Sequence, residues 1–496
     1  MTAADLDRFR ERADRFIAEQ DEEFYLHYSG QKETLELEPI FERYAELTTL
    51  EQAKSLEDAA GRGSGERELW RFACEGYIAN LAKAQAEKIA QLEATLEATL
   101  ETTLEGETIP YRELRPRISN EDDRDRRRRL EAELGRLTEE QLNPLHLETV
   151  ELVHGAARAL GGGTYRDLYV ERFGWALEEL AAQCRSLLDE TEQLYEDRMD
   201  RLFRLRVGVS LAEAERHDVF PLFRGRAWDP HFPPDRMLPA LEWTLERLGI
   251  DLRGQQNVHV DVEPRPRKDP RPFCVAIEVP DRVMLVLKPM GGPFDWQACF
   301  HEAGHAEHFA NASPDLKVEE KRLGDKAVTE GWASLLQNVT REPVWLAKML
   351  DFPNPVEYAE EATAGFLYFV RRYAAKLLYE LEFHAADDPR ALQPRYVELL
   401  AEALKIEPNP ATYLVDIDPG FYVSEYLRSW AFEAQLRDYL RGRYGNEWFA
   451  SRKAGGELVE LWSEGQKPTA DGLLRDVTGA ELQLEAIADR VRESLG

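Results

Sequence analysis

His301, Glu302 and His305 sit in the run Phe300-His-Glu-Ala-Gly-His-Ala-Glu-His308, which sets two imidazoles four residues apart with a carboxylate beside the first. On a helix, residues i and i+4 share a face, so both histidines can reach one metal ion. Glu302 leaves the next edge of that face, where its carboxylate can take a proton from a water on the metal. This is the chemistry of a hydrolytic zinc site. A catalytic zinc takes three protein ligands and keeps a fourth position for water, so one ligand is still to be found.

The continuation that supplies a third histidine requires Gly at 308 and His at 311, and the chain has His308 and Asn311. A carboxylate from a following helix is the other solution, and Glu319, Glu320, Asp325 and Glu330 are the candidates. Glu330 is preferred because it lies in Ala-Val-Thr-Glu-Gly-Trp-Ala-Ser, an apolar and small-residue setting where a carboxylate needs a reason to be buried. Glu319 and Glu320 belong to a Lys/Glu cluster that reads as solvated. The expected set is one zinc ion on His301, His305 and Glu330, with Glu302 as general base. His308 is expected to pack or to lie behind the ligands, and the isolated His27, His146, His154, His217, His231, His259 and His384 are expected to be structural.

Helical periodicity dominates the first 225 residues, as in Leu6-Phe9-Ala13-Phe16 and the stretch 150–202. Leu92, Leu96, Leu100 and Leu104 form a four-residue repeat that predicts one amphipathic helix. Arg126–Arg129 lie among Glu121, Asp122, Asp123, Glu131 and Glu133 and are expected to be a self-neutralised, solvated face. Gly161-Gly162-Gly163 lacks the ending of a phosphate cradle and is expected to be a helix–helix turn. The texture changes near residue 225, which divides an N-terminal helical region, 1–225, from a catalytic region, 226–496. Residues 258–262, 273–279 and 282–287 read as strands, with Pro280-Asp281 as the turn between the last two. Asp295 is expected to cap the helix that carries the histidines. The fold class is mainly α, with a small β-sheet next to that helix.

A net charge of −31 argues against a nucleic-acid binder, which needs a basic stripe to release counterions. The N-terminus has no apolar core of a signal peptide, and no run approaches membrane-spanning length. Cys74, Cys184, Cys274 and Cys299 are scattered without a paired spacing and are expected to be free thiols. A cytoplasmic protein is expected.

With these residues in view, the chain resembles the thimet oligopeptidase and oligoendopeptidase F family of zinc metallopeptidases. The match lies in Phe300–His308, in Glu330 at the family's third-ligand spacing, and in Arg271-Pro-Phe-Cys274 with Gly291-Gly292 upstream. It continues in Gly420-Phe-Tyr-Val-Ser-Glu-Tyr426 and in the C-terminal run from Ala454-Gly-Gly to Thr478-Gly479. The resemblance implies a helical ellipsoid with a deep substrate channel, an N-terminal region forming one wall, and short peptides as substrates. It assigns Tyr422 and Tyr426 to the substrate carbonyl, and Tyr413 is a further candidate donor to the oxyanion. It also implies an edge strand near 282–287 that pairs with substrate backbone. Where the family carries a histidine shortly before the tyrosines, this chain has Leu414-Val415-Asp416. A metallocarboxypeptidase of similar helical fold is the rival within enzymes and would need a cation for the substrate's terminal carboxylate, for which Arg371, Arg372 and Arg428 are candidates. A catalytically silent helical binding protein is the rival outside them.

Overall fold

The computed structural model describes the backbone of residues 2–61 and 63–496, and the side chains of these apart from 64, 82–95, 97 and 98. The chain is mainly α-helical, with two small sheets among the described residues. The strands are β1 (Glu101–Leu104), β2 (Glu107–Pro110), β3 (Val258–Asp261), β4 (Phe273–Glu278) and β5 (Arg282–Val286). Two compact units form. The first gathers Met1–Ala73, Ala227–Glu360 and Arg428–Ile487; the second gathers Cys74–Arg226, Glu361–Leu427 and Ala488–Gly496. Each unit takes segments from both sides of residue 225. No helix among the described residues is long and apolar enough to cross a membrane.

In the first unit, helix Ala3–Tyr28 buries Leu6, Phe9, Ala13 and Phe16 on one stripe. Thr2 caps it by accepting the Asp5 N–H, while the Asp5 carboxylate accepts the Thr2 N–H. Its far end reaches the three-stranded sheet, whose order is β3-β5-β4, with β3 parallel and β4 antiparallel to β5. Tyr25 joins Phe273, Val275, Ile277, Met284 and Val286 in one cluster. Because side chains alternate along a strand, Cys274, Ala276, Val283 and Leu285 face the other way, and helix Pro293–Asn311 packs against both β4 and β5. The strand expected to offer a free edge, 282–287, is the central one. The edges belong to β3 and β4, and two groups of β4 are already engaged: the Cys274 N–H donates to Glu302 and the Ala276 carbonyl accepts from Arg322.

In the second unit the leucine repeat does not continue as one helix. Helix Ser64–Thr99 ends before Leu100, and Leu92 lies outside the described side chains. β1 and β2 follow as a hairpin closed by Glu105-Gly106, both at positive φ (54° and 85°). A two-residue turn with Gly at its second position suits a hairpin, and the β-branched Thr102, Thr103, Thr108 and Ile109 suit its strands. Ile109 anchors the hairpin in a core of Leu114, Ile118, Leu130, Leu134 and Leu137. The arginine run is only partly the solvated face expected. Arg126, Arg128 and Arg129 pair with Glu107, Glu215 and Glu105, but Arg127 is buried and bonds the buried Asp218 at 2.8 Å. Gly161–Gly163 lie between helix Asn143–Ala159 and the short helical turn from Tyr165, as expected.

Candidate metal centre

The motif helix, Pro293–Asn311, starts with Gly292 at its cap and Pro293 in its first turn. Asp295 is not its cap. The carboxylate reaches back to the N–H groups of Met290 and Gly291 (2.7 and 2.8 Å) and ties the preceding loop to the helix. Phe300, Ala303 and Ala306 are buried, while the rings of His301 and His305 stand 4.9 Å apart on the less buried face.

The helix that carries Glu330, Lys326–Val339, is capped by Asp325, which accepts the Ala327 N–H at 3.0 Å. It approaches the motif helix closely at Gly304, where a Cβ would lie 2.5 Å from Ala333 Cα and 2.7 Å from the Trp332 carbonyl oxygen. Only a residue without a side chain permits that approach. The approach places Glu330 Oε2 3.3 Å from His301 Nε2 and 3.8 Å from His305 Nε2, and one ligand atom from each residue falls within 4.8 Å of the others. Zinc–nitrogen and zinc–oxygen bonds near 2.1 Å at tetrahedral angles put ligand atoms about 3.4 Å apart. The group fits one such ion.

The outer partners fit as well. His301 Nδ1 lies 2.9 Å from Gln337 Oε1, and His305 Nδ1 lies 2.8 Å from Thr329 Oγ1. An amide oxygen only accepts, so Nδ1 of His301 carries a proton toward Gln337, which leaves Nε2 as the ring atom that would face a metal. Burial lowers His305 to about 3, keeping it the neutral imidazole that a metal takes. Burial also opposes charge on His301, but the Glu330 carboxylate outweighs it and raises that ring. Glu302 Oε2 accepts the Cys274 N–H at 2.8 Å. Burial pushes its carboxyl up to about 7, against the opposing pull of His301 and of the Cys274 amide.

The other candidate ligands have different occupations. Glu319, expected to be solvated, is buried because Arg10 of the first helix pairs with it at 2.7 Å. Glu320 accepts the Lys317 N–H. Asp325 holds Arg428 and the Ala470 N–H besides capping its helix. His308 is buried against Phe309 and Trp332, in keeping with packing. Gln337 and Thr329 were not singled out from sequence, although Thr329 precedes Glu330 and Gln337 follows it by two helical turns on the same face.

Tyr422 and Tyr426 stand together in the second unit. They open helix Tyr422–Tyr444 with ring centroids 5.1 Å apart, both half-buried, and Tyr426 meets Tyr373 edge-on at 5.6 Å. Asp416, near the place where the resemblance puts a histidine, accepts from Tyr396 at 3.0 Å and pairs with Arg372. Among the cysteines, Cys74, Cys184 and Cys299 are buried, Cys274 is half-buried, and none of the four is in a disulfide.

No family model matches the chain, and no curated protein does. Among solved structures, the chain is similar to the M32 carboxypeptidase from Deinococcus radiodurans, with a TM-score of 0.63 at 16% identity, over 99% of this chain and 97% of that one. The likeness is one of fold, and the shared fold is mainly helical.

Proposed function

We propose that the chain is a zinc-dependent peptidase that hydrolyses internal bonds of short peptides. The observation that carries this reading is the convergence of His301, His305 and Glu330, with the Glu302 carboxylate held beside them by the Cys274 amide. When bound, zinc supplies a Lewis acid that brings the pKa of a water near 7. Glu302 takes the proton from the attacking water and delivers it to the leaving amine, so one carboxylate serves both halves of the reaction. His301 and His305, fixed by Gln337 and Thr329, keep their Nε2 atoms aimed without reorganisation. The hydroxyls of Tyr422 and Tyr426 are assigned to the developing oxyanion, where a donor is worth most in a site that excludes water. Four cysteines outside any disulfide suit a reducing compartment, and we place the protein in the cytoplasm.

A carboxypeptidase is the second reading, favoured by the fold's likeness to a protein described as one. It needs a cation for the terminal carboxylate. The arginines considered for that role are held by the chain's own groups: Arg371 by the carbonyls of Leu188 and Ala403 and by Thr191, Arg372 by Asp416, and Arg428 by Asp325 and Asp471. Cleavage of one peptide with a free and with an amidated C-terminus separates the readings. Equal, EDTA-sensitive rates and internal fragments support the endopeptidase. Loss of cleavage on amidation assigns the carboxypeptidase. The silent binding protein would show neither.

A further inference from the structure

The four residues that lead into the tyrosine helix adopt a conformation the chain would not take unaided. Gly420 and Phe421 both have positive φ, 68° and 52°. Glycine adopts that region freely, but a bulky residue there is an outlier that persists only where its surroundings fix it. Those surroundings lie within the second unit. The Phe421 ring is fully buried, with ring centroids 5.9 Å from Tyr165, 5.4 Å from Tyr169 and 5.1 Å from His384. The Gly420 N–H donates to the Tyr165 hydroxyl at 3.0 Å. Two residues earlier, the Asp418 N–H donates to the buried Glu380 carboxylate at 2.8 Å, and the Asp418 side chain pairs with Lys376 at 2.8 Å. A Cβ on Gly420 would stand 3.2 Å from the Tyr169 hydroxyl, so the turn has little room to relax. Tyr422 is the next residue, and its backbone direction is set by this turn.

We propose that Tyr165 and Glu380 are positioning residues for the tyrosine pair. They touch neither substrate nor metal, and they hold the left-handed Gly420–Phe421 turn so that helix Tyr422–Tyr444 starts at one fixed angle. The inference rests on the oxyanion role given to Tyr422 above. It adds that the geometry of that hydroxyl is stored in a buried set of groups about 250 and 40 residues away in sequence, as the spacings of the two hydrogen bonds record.

The test is a double-mutant cycle on the zinc-loaded, full-length protein, reading kcat, KM and zinc content with a short reporter peptide. Tyr422→Phe is expected to lower kcat by roughly a hundredfold, as loss of an oxyanion donor does. Tyr165→Phe is expected to lower kcat by roughly tenfold through misplacement of that donor, with KM and zinc content unchanged. In the Tyr422→Phe background the Tyr165→Phe change should then cost nothing further. Gly420→Ala, which perturbs the turn itself while keeping the chemical identity of every side chain in the set, is expected to reproduce the kcat loss and the lack of additivity should Tyr165→Phe fail to fold. A Tyr165→Phe or Gly420→Ala loss of the same factor in both backgrounds, or an unchanged kcat with only a lowered melting point, overturns the inference and leaves the oxyanion role standing. An unchanged kcat in Tyr422→Phe alone overturns the oxyanion role, and the positioning role with it.

Discussion

His301 with His305 and Tyr422 with Tyr426 are both pairs spaced four residues apart on a helix, yet the two pairs are held in different ways. The imidazoles sit in the middle of a 19-residue helix whose backbone needs no outside help to aim them. Their precision comes from across the helix pair: a glycine that lets the neighbouring helix close in, a carboxylate on that helix, and an amide and a hydroxyl that lock the rings. The tyrosines begin a helix, where fraying is cheapest, and their aim depends on the turn before it. That turn is held by groups from two distant segments, one around Tyr165 and one around Glu380. A site in mid-helix is specified by its neighbours on the next helix, while a site at a helix start is specified by whatever fixes the entry.

Replacing the base gives the largest effect. Glu302→Gln should lower kcat by roughly a thousandfold, within the range of general-base contributions, with zinc retained. Measured against it, Tyr422→Phe should cost about a hundredfold, and a larger loss there than at Glu302 would reverse the ranking of the two regions. Gln337→Leu or Thr329→Val should weaken zinc binding by roughly ten- to a hundredfold, read by competition with a chelator, while neither tyrosine substitution moves zinc affinity.

The smallest effect is one of stability and concerns the metal-free protein. The Glu302 carboxyl, raised from 4.5 to about 7 chiefly by burial, binds more protons folded than unfolded across that window. Stability therefore falls as pH rises from about 4.5 to 7, and the penalty is complete above it. Glu302→Gln removes the penalty and should stabilise the metal-free protein by about 3 kcal/mol at pH 8 and by little at pH 4, measured by chemical unfolding. Tyr422→Phe should show no such pH-dependent gain.

Much of the candidate metal centre was legible because its information is local. The histidine pair and base lie in five residues, and Glu330 stands out as a carboxylate among apolar and small residues. The mainly helical fold and the sheet before the motif followed from periodicity. What was not legible depends on long-range pairing. Glu319 reads as solvated beside its lysines, and only Arg10, 309 residues away, makes it a buried partner. The strand at 282–287 reads as an edge, yet β3 and β4 pair on either side of it. The helix read through Leu104 gives way to a hairpin because Glu105-Gly106 can turn and Ile109 has a core to enter. Gln337 and Thr329 are ordinary helix residues until the neighbouring helix brings histidines to them.

The central claim is that His301, His305 and Glu330 hold one zinc ion while Glu302 does not ligate it. Zinc stoichiometry measured on the wild type, Glu302→Gln and Glu330→Gln tests this directly. One zinc per chain is expected in the first two, and a marked loss of zinc affinity in the third. Zinc lost from Glu302→Gln, or held with unchanged affinity by Glu330→Gln, would contradict it.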